Sequence, residues 1–150
     1  MKRFRRILHA SDFSPASRLA FTQAIELAKR DAARLTIAHV LTPPVPLVTD
    51  GYVSPKVWDD VERQVRVQAQ REIDRLIARA RAAGVRATGL LLDGTPADRI
   101  VRAARRLPAD LIVMGTHGRG GLAKLFVGSV AERVIAMARC PVLTVRGRAT

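Results

Sequence analysis

The chain has 150 residues, 48% of them hydrophobic, which is enough for one domain with a real core and excludes a disordered tract. Its 26 Lys and Arg against 13 Asp and Glu leave a net charge of +13, almost all of it from arginine, spread along the whole chain. One cysteine, Cys140, excludes an internal disulfide, and no apolar run reaches the roughly 18 residues of a membrane span. The basic N-terminus reaches Asp12 after only a few apolar residues, too short a stretch for a signal peptide, so the expected location is cytoplasmic. Such a charge suits either nucleic acid or an anionic small molecule. Scarce aromatics and the lack of a base-stacking motif argue against nucleic acid.

In chain order, Arg5 to Ala10 reads as a first strand. Ser14 then caps a helix that Pro15 opens, with Ala16, Ala20, Ala24, Leu27 and Ala28 on one face. Arg34 to Leu41 is a second strand, ended by Pro43, Pro44 and Pro46 in an irregular loop through Tyr52. Ser54-Pro55 repeats the helix-start signal. Trp58, Val61, Val65, Ala69, Ile73, Leu76 and Ala80 keep a helical period to Gly84, a C′ residue, while interleaved Arg and Glu form a solvated face. Val85 to Leu92 is a third strand, and Thr95-Pro96 starts a helix that Pro108 stops. Asp110 to Met114 is a fourth strand, a helix spans about Val130 to Ala138, and Pro141 to Val145 is a fifth strand. Alternating strands and helices, with strands apolar nearly throughout, predict a single-domain α/β fold: a doubly wound parallel sheet covered by helices on both faces. Ligands of such sheets lie beyond the strands' carboxyl ends, where the strand order reverses.

The informative stretch joins the fourth strand to the last helix. Gly115, Gly118, Gly120, Gly121 and Gly128 lie between them, and Gly128-Ser129 opens the helix. Glycines let a ligand approach the backbone, and a new helix offers unpaired N–H groups to negative charge, which predicts a phosphate-binding turn. No Walker A lysine precedes Ser129. Gly118-Arg119-Gly120-Gly121-Leu122-Ala123 satisfies G-x-G-x-x-A but sits in the last βα unit and has no acid about 20 residues on, so it is a poor dinucleotide fingerprint. Ser129-Val130-Ala131-Glu132 also reads as a capping box, Asp12 as a local helix cap, and His117 as a plain loop residue. His9 and His39, inside strands, read as satisfied core histidines, and no Cys/His/Asp cluster has metal-ligand spacing.

The spacing Gly115-x2-Gly118-x9-Gly128-Ser129, with ILHASDFSPAS, AHV, DLIVMGTHGRGG and GSVAERVIAMARCPVLTV, resembles the ATP-binding branch of the universal stress protein family over essentially the whole chain. The resemblance implies five parallel strands in order 3-2-1-4-5, with the reversal between the first and fourth. It implies that Ala10, Ser11, Val40 and Met114 surround an adenine nucleotide, with Asp12 near the ribose or a nucleotide-bound Mg2+. Gly115 and Gly118 would leave room for ribose and phosphate. Gly128, Ser129 and Val130 would hold the phosphates of ATP, with His117 and Arg119 nearby in the loop. It further implies a stress-response sensor that homodimerises through the last strand, Pro141 to Val145. No acid–base pair for hydrolysis is evident, so turnover is expected to be slow or absent. A family member working through protein contacts without nucleotide, and a weak ATPase, are the alternatives. His9 and Ala10 depart from the apolar residue and the proline frequent there in the family.

Overall fold

The computed structural model describes residues 2–42, 51, 53–116 and 128–147. The strands β1 (Arg6–Ala10), β2 (Arg34–Leu41), β3 (Arg86–Asp93), β4 (Leu111–Thr116) and β5 (Val142–Arg146) alternate with helices α1 (Pro15–Asp31), α2 (Pro55–Ala82), α3 (Pro96–Arg106) and α4 (Ser129–Met137). The sheet has the order β3-β2-β1-β4-β5, and every neighbouring pair is parallel. The first two crossovers step outward from β1 through β2 to β3, the third returns across the sheet to β4 beside β1, and the last steps outward to β5. The order therefore reverses between β1 and β4, as the family resemblance implies.

Period-2 alternation along the strands divides the core in two. Ile7, Leu35, Ile37 and Val113 pack with Phe21, Ala24 and Ala28 of α1 and Leu76 and Ala80 of α2. Leu8, Ala10, Ala38, Ile112 and Met114 pack with Ile100 and Val101 of α3 and Ala131 and Val134 of α4. The Ser-Pro signals work as read. The hydroxyls of Ser14 and Ser54 accept from Ser17 N and Val57 N, and each proline follows inside the helix. Thr95 stands at the corresponding position of α3 without a side-chain capping bond. Gly84, just past the α2 cap, takes φ +84°, the left-handed turn expected of a C′ glycine.

Three readings change. The apolar stripe of α2 continues beyond the sheet: Ala69, Ile73, Leu76 and Ala80 are buried, but Val57, Val61 and Val65 are exposed. The cause is length. At 28 residues α2 extends about 42 Å, while the 8-residue β3 beneath it covers about 26 Å. β4 runs on to Thr116 instead of breaking at Gly115. Gly115 also has a packing reason of its own: a Cβ there would meet the main chain of Ala16 and Ser17 at 2.7–2.8 Å. The absent side chain lets β4 and α1 approach each other.

His9 is the third. It is fully buried, its ring centroid 5.5 Å from that of Phe21, and Nδ1 donates to the Val113 carbonyl at 3.1 Å. That bond leaves Nε2 as a buried acceptor with no partner among the described residues, so this core histidine is only half satisfied. Burial pushes its pKa down from 6.5 to about 4, against the opposing pulls of the Val113 carbonyl and the Asp12 charge. Between those two values the unfolded chain binds a proton that the native chain refuses. Stability is therefore full above pH 6.5 and falls as the pH drops toward 4, by up to ~3 kcal/mol. Chemical denaturation of the wild type and His9→Leu across pH 4 to 7 should show this slope only in the wild type; parallel profiles would show that His9 does not set it.

Candidate functional site

The turn from β1 into α1 is over-determined. Ser11 N donates to the Ala38 carbonyl (2.8 Å), and the Ser11 carbonyl accepts from His39 Nδ1 (2.7 Å). The Ser11 hydroxyl accepts from Phe13 N (3.2 Å) and meets the Ser17 hydroxyl at 2.9 Å. Phe13 has φ +61°, uncommon for a residue with a side chain, and its ring stacks on His39 with centroids 4.3 Å apart. Buried Ser11 thus spends its polar atoms on fixing the turn. Asp12 is exposed. Its Oδ1 accepts from Ser14 N at 3.0 Å, an Asx turn; the helix cap itself is Ser14, not Asp12. One carboxylate oxygen is thereby oriented at the end of β1, at the switch point.

Beside that turn lies an apolar row. Ala10 is the register partner of Met114 on β4 and of Ala38 on β2, and Val40 follows Ala38 two residues on. Ala10, Val40 and Met114 all belong to the face that α3 and α4 cover. Thr116 follows Met114 with the same parity. It is buried, and its hydroxyl has no partner among the described residues. The sequence reading missed Thr116 because it ended β4 at Met114. With the strand extended by two residues, simple alternation would have found it.

The third component is the start of α4. Gly128 is the N-cap and so carries no capping side chain. Ser129 is the first helical residue, which removes the capping-box reading of Ser129 and Glu132. The first helical bond runs from Glu132 N to the Gly128 carbonyl (3.0 Å), so Ser129, Val130 and Ala131 precede it with their N–H groups uncapped among the described residues. An Arg133–Asp98 pair at 3.7 Å ties α4 to α3. His117, Gly118 and Arg119 lie outside the described residues, as does most of the Pro43 to Tyr52 loop.

The three parts have distinct chemistry: a small apolar surface at the ends of β1 and β4, one oriented carboxylate, and a helix start offering main-chain donors to an anion. No group of three or more His, Cys, Asp or Glu residues able to hold a metal ion occurs among the described residues. A metal at Asp12 would therefore need ligands from a bound phosphate chain, a common arrangement for Mg2+. Burial pushes the Cys140 thiol up, away from a reactive thiolate. No helix of the described residues is long and apolar enough to cross a membrane.

Comparison with known proteins adds relatives to this geometry. Residues 3–146 match the profile of the universal stress protein family. The chain is 36% identical over 145 residues to universal stress protein MJ0531 of Methanocaldococcus jannaschii, covering 95% of this chain and 82% of that protein. It is 37% identical over 143 residues to a universal stress protein of Thermus aquaticus, covering 95% and 99%. The crystal structure of a universal stress protein family member from Burkholderia pseudomallei superposes with a TM-score of 0.73 at 35% identity, covering 97% and 98%. Two more distant chains share the fold. One is a universal stress protein in complex with cAMP (TM-score 0.73, 24% identity, 98% and 100% covered). The other is the Archaeoglobus fulgidus protein in complex with dAMP (TM-score 0.67, 23% identity, 96% and 99% covered).

Proposed function

We propose, for a chain that belongs to the universal stress protein family, that the crevice at the ends of β1 and β4 binds ATP and that the bound state acts as a stress-response signal in the cytoplasm. The observation that carries this reading is the α4 start, where Gly128 leaves three successive N–H groups for an anion beside an apolar row. The cAMP and dAMP complexes of similarly folded proteins support an adenine nucleotide as the ligand. In this reading Ala10, Val40 and Met114 border the base. Asp12 approaches the ribose or a nucleotide-bound Mg2+, and Ser11 holds the turn that aims it. The amides of Ser129 and Val130 and the Ser129 hydroxyl hold phosphate, with Gly128 leaving the approach open. Thr116 Oγ1 adds a buried hydroxyl two residues beyond Met114 on the same face. Gly118, His117 and Arg119 close the loop side.

Binding rather than turnover is the role. Hydrolysis needs an oriented water, a base and charge stabilisation, and Asp12, already half committed to Ser14 N, is the single carboxylate this reading assigns to the crevice among the described residues. Phosphates held at the start of α4 would change the surface offered to protein partners.

The reading includes a homodimer through β5, an edge strand whose outer main chain faces no other strand among the described residues and which leaves Leu143 exposed.

Two experiments test these proposals. Gly128 has φ −50° and ψ 148°, open to any residue, so Gly128→Val should fold while crowding the approach to the amides. By calorimetric titration, Gly118→Val and Gly128→Val should each bind ATP at least about tenfold more weakly than wild type, and unchanged affinity in both would remove the loop and helix start from the site. For the assembly, Leu143→Asp should shift the mass measured by light scattering from dimer toward monomer; a folded variant that stays wholly dimeric would place the interface elsewhere.

A further inference from the structure

The opposite end of the sheet carries a second concentration of positive charge. Arg6, Arg34 and Arg86 are register partners across β1, β2 and β3, one row at the amino ends of three adjacent strands. The next row on the same face is Leu8, Thr36 and Thr88, the two threonine hydroxyls 3.5 Å apart. These residues line a cavity of about 690 Å³, together with Arg81 from the last turn of α2.

Neighbouring strands are about 4.8 Å apart, and like charges placed directly opposite each other disfavour the sheet. The described ion pairs do not relieve the row: they use Arg30, Arg63, Arg66, Arg75 and Arg133. The cavity lining contains no carboxylate. Asp110, next to the start of β1, accepts from the main-chain N–H groups of Arg5 and Arg6 and forms no ion pair with the row among the described residues. Main-chain carbonyls hold the outer guanidinium groups in place: Arg6 Nε donates to Pro108 O (2.9 Å), and Arg86 donates to Ala32 O (3.1 Å). Carbonyl bonds orient a guanidinium without cancelling its charge.

We propose that this trough is a second ligand site, separate from the crevice at the carboxyl ends of β1 and β4, and that it takes a short chain of linked phosphates. The row spans about 10 Å from β1 to β3, longer than one phosphate and suited to two or three in line. Guanidinium groups recognise phosphate oxygens in pairs, and Thr36 and Thr88 add hydroxyls to the same lining. The lining holds no aromatic residue, which disfavours a single-stranded nucleic acid with stacked bases.

Inorganic tripolyphosphate is the probe, titrated calorimetrically at fixed salt into the full chain carrying Gly128→Val, so that the other crevice is blocked. Saturable binding at one tripolyphosphate per chain is expected, weakened at least tenfold by adding Arg34→Gln and Arg86→Gln. Adding Arg71→Gln and Arg102→Gln, the same loss of charge elsewhere on the surface, should change it less than threefold. Without ligand, the Arg34→Gln/Arg86→Gln chain should melt higher than its parent, because the like-charge row is relieved, and tripolyphosphate should raise the melting temperature only of the parent. Equal weakening in both double variants would mean diffuse surface charge and overturn the site. So would binding indifferent to Arg34 and Arg86, or binding there of a single-stranded oligonucleotide but not of tripolyphosphate. The ATP affinity of the Arg34→Gln/Arg86→Gln change made in the wild-type chain reads the other crevice separately and should be unaltered.

Discussion

The first turn of α4 begins at a residue that has no side chain to cap it. α1 and α2 close their own N-termini with Ser14 and Ser54, whereas α4 starts at Gly128 and leaves the amides of Ser129, Val130 and Ala131 without a capping partner among the described residues. A helix end left in this state is satisfied by water or by an anion. The surroundings favour the anion. The start of α4 follows the glycine-rich connection from β4, on the face where Ala10 and Met114 lie in register.

That placement follows from the chain's crossovers. α1 and α2 cover one face of the sheet and α3 and α4 the other, so the helices that follow β1 and β4 lie on opposite faces, the arrangement that opens a ligand crevice in such sheets. Two local devices keep it in shape. Gly115 allows α1 to lie against β4 at main-chain distance. The Ser11, Asp12 and Ser14 bonds hold Phe13 in a left-handed conformation that a free chain would seldom adopt. The carboxylate of Asp12 is positioned by that turn, and the turn by the packing of α1.

Much of this was legible in the residues. Strand and helix order, the two Ser-Pro starts and the glycine spacing need only local chemistry: a hydroxyl before a proline, or a run without β-carbons. The family resemblance supplied the strand order, which the structure shows. What escaped the reading depends on relations between elements. No window around Val57, Val61 and Val65 shows that α2 outruns the strand beneath it. The packing use of Gly115 was invisible because its helical neighbour Ala16 lies 99 positions away in the sequence. Thr116 went unnoticed because the strand's end was placed by apolar content, and pairing with β5 carries it further. His9 looked satisfied because sequence cannot show that only one of its two nitrogens meets a carbonyl.

The central claim concerns particular main-chain groups, and amide resonances report on them directly. Titrations of isotope-labelled protein followed by 1H–15N correlation spectra would compare ATP with adenosine. ATP is predicted to displace the Ser129, Val130 and Ala131 amide signals strongly, while adenosine moves signals near Ala10 and Met114 and leaves those three nearly in place. Equal displacement of the three amides by both ligands, or none by ATP at saturation, would contradict phosphate capture at the start of α4.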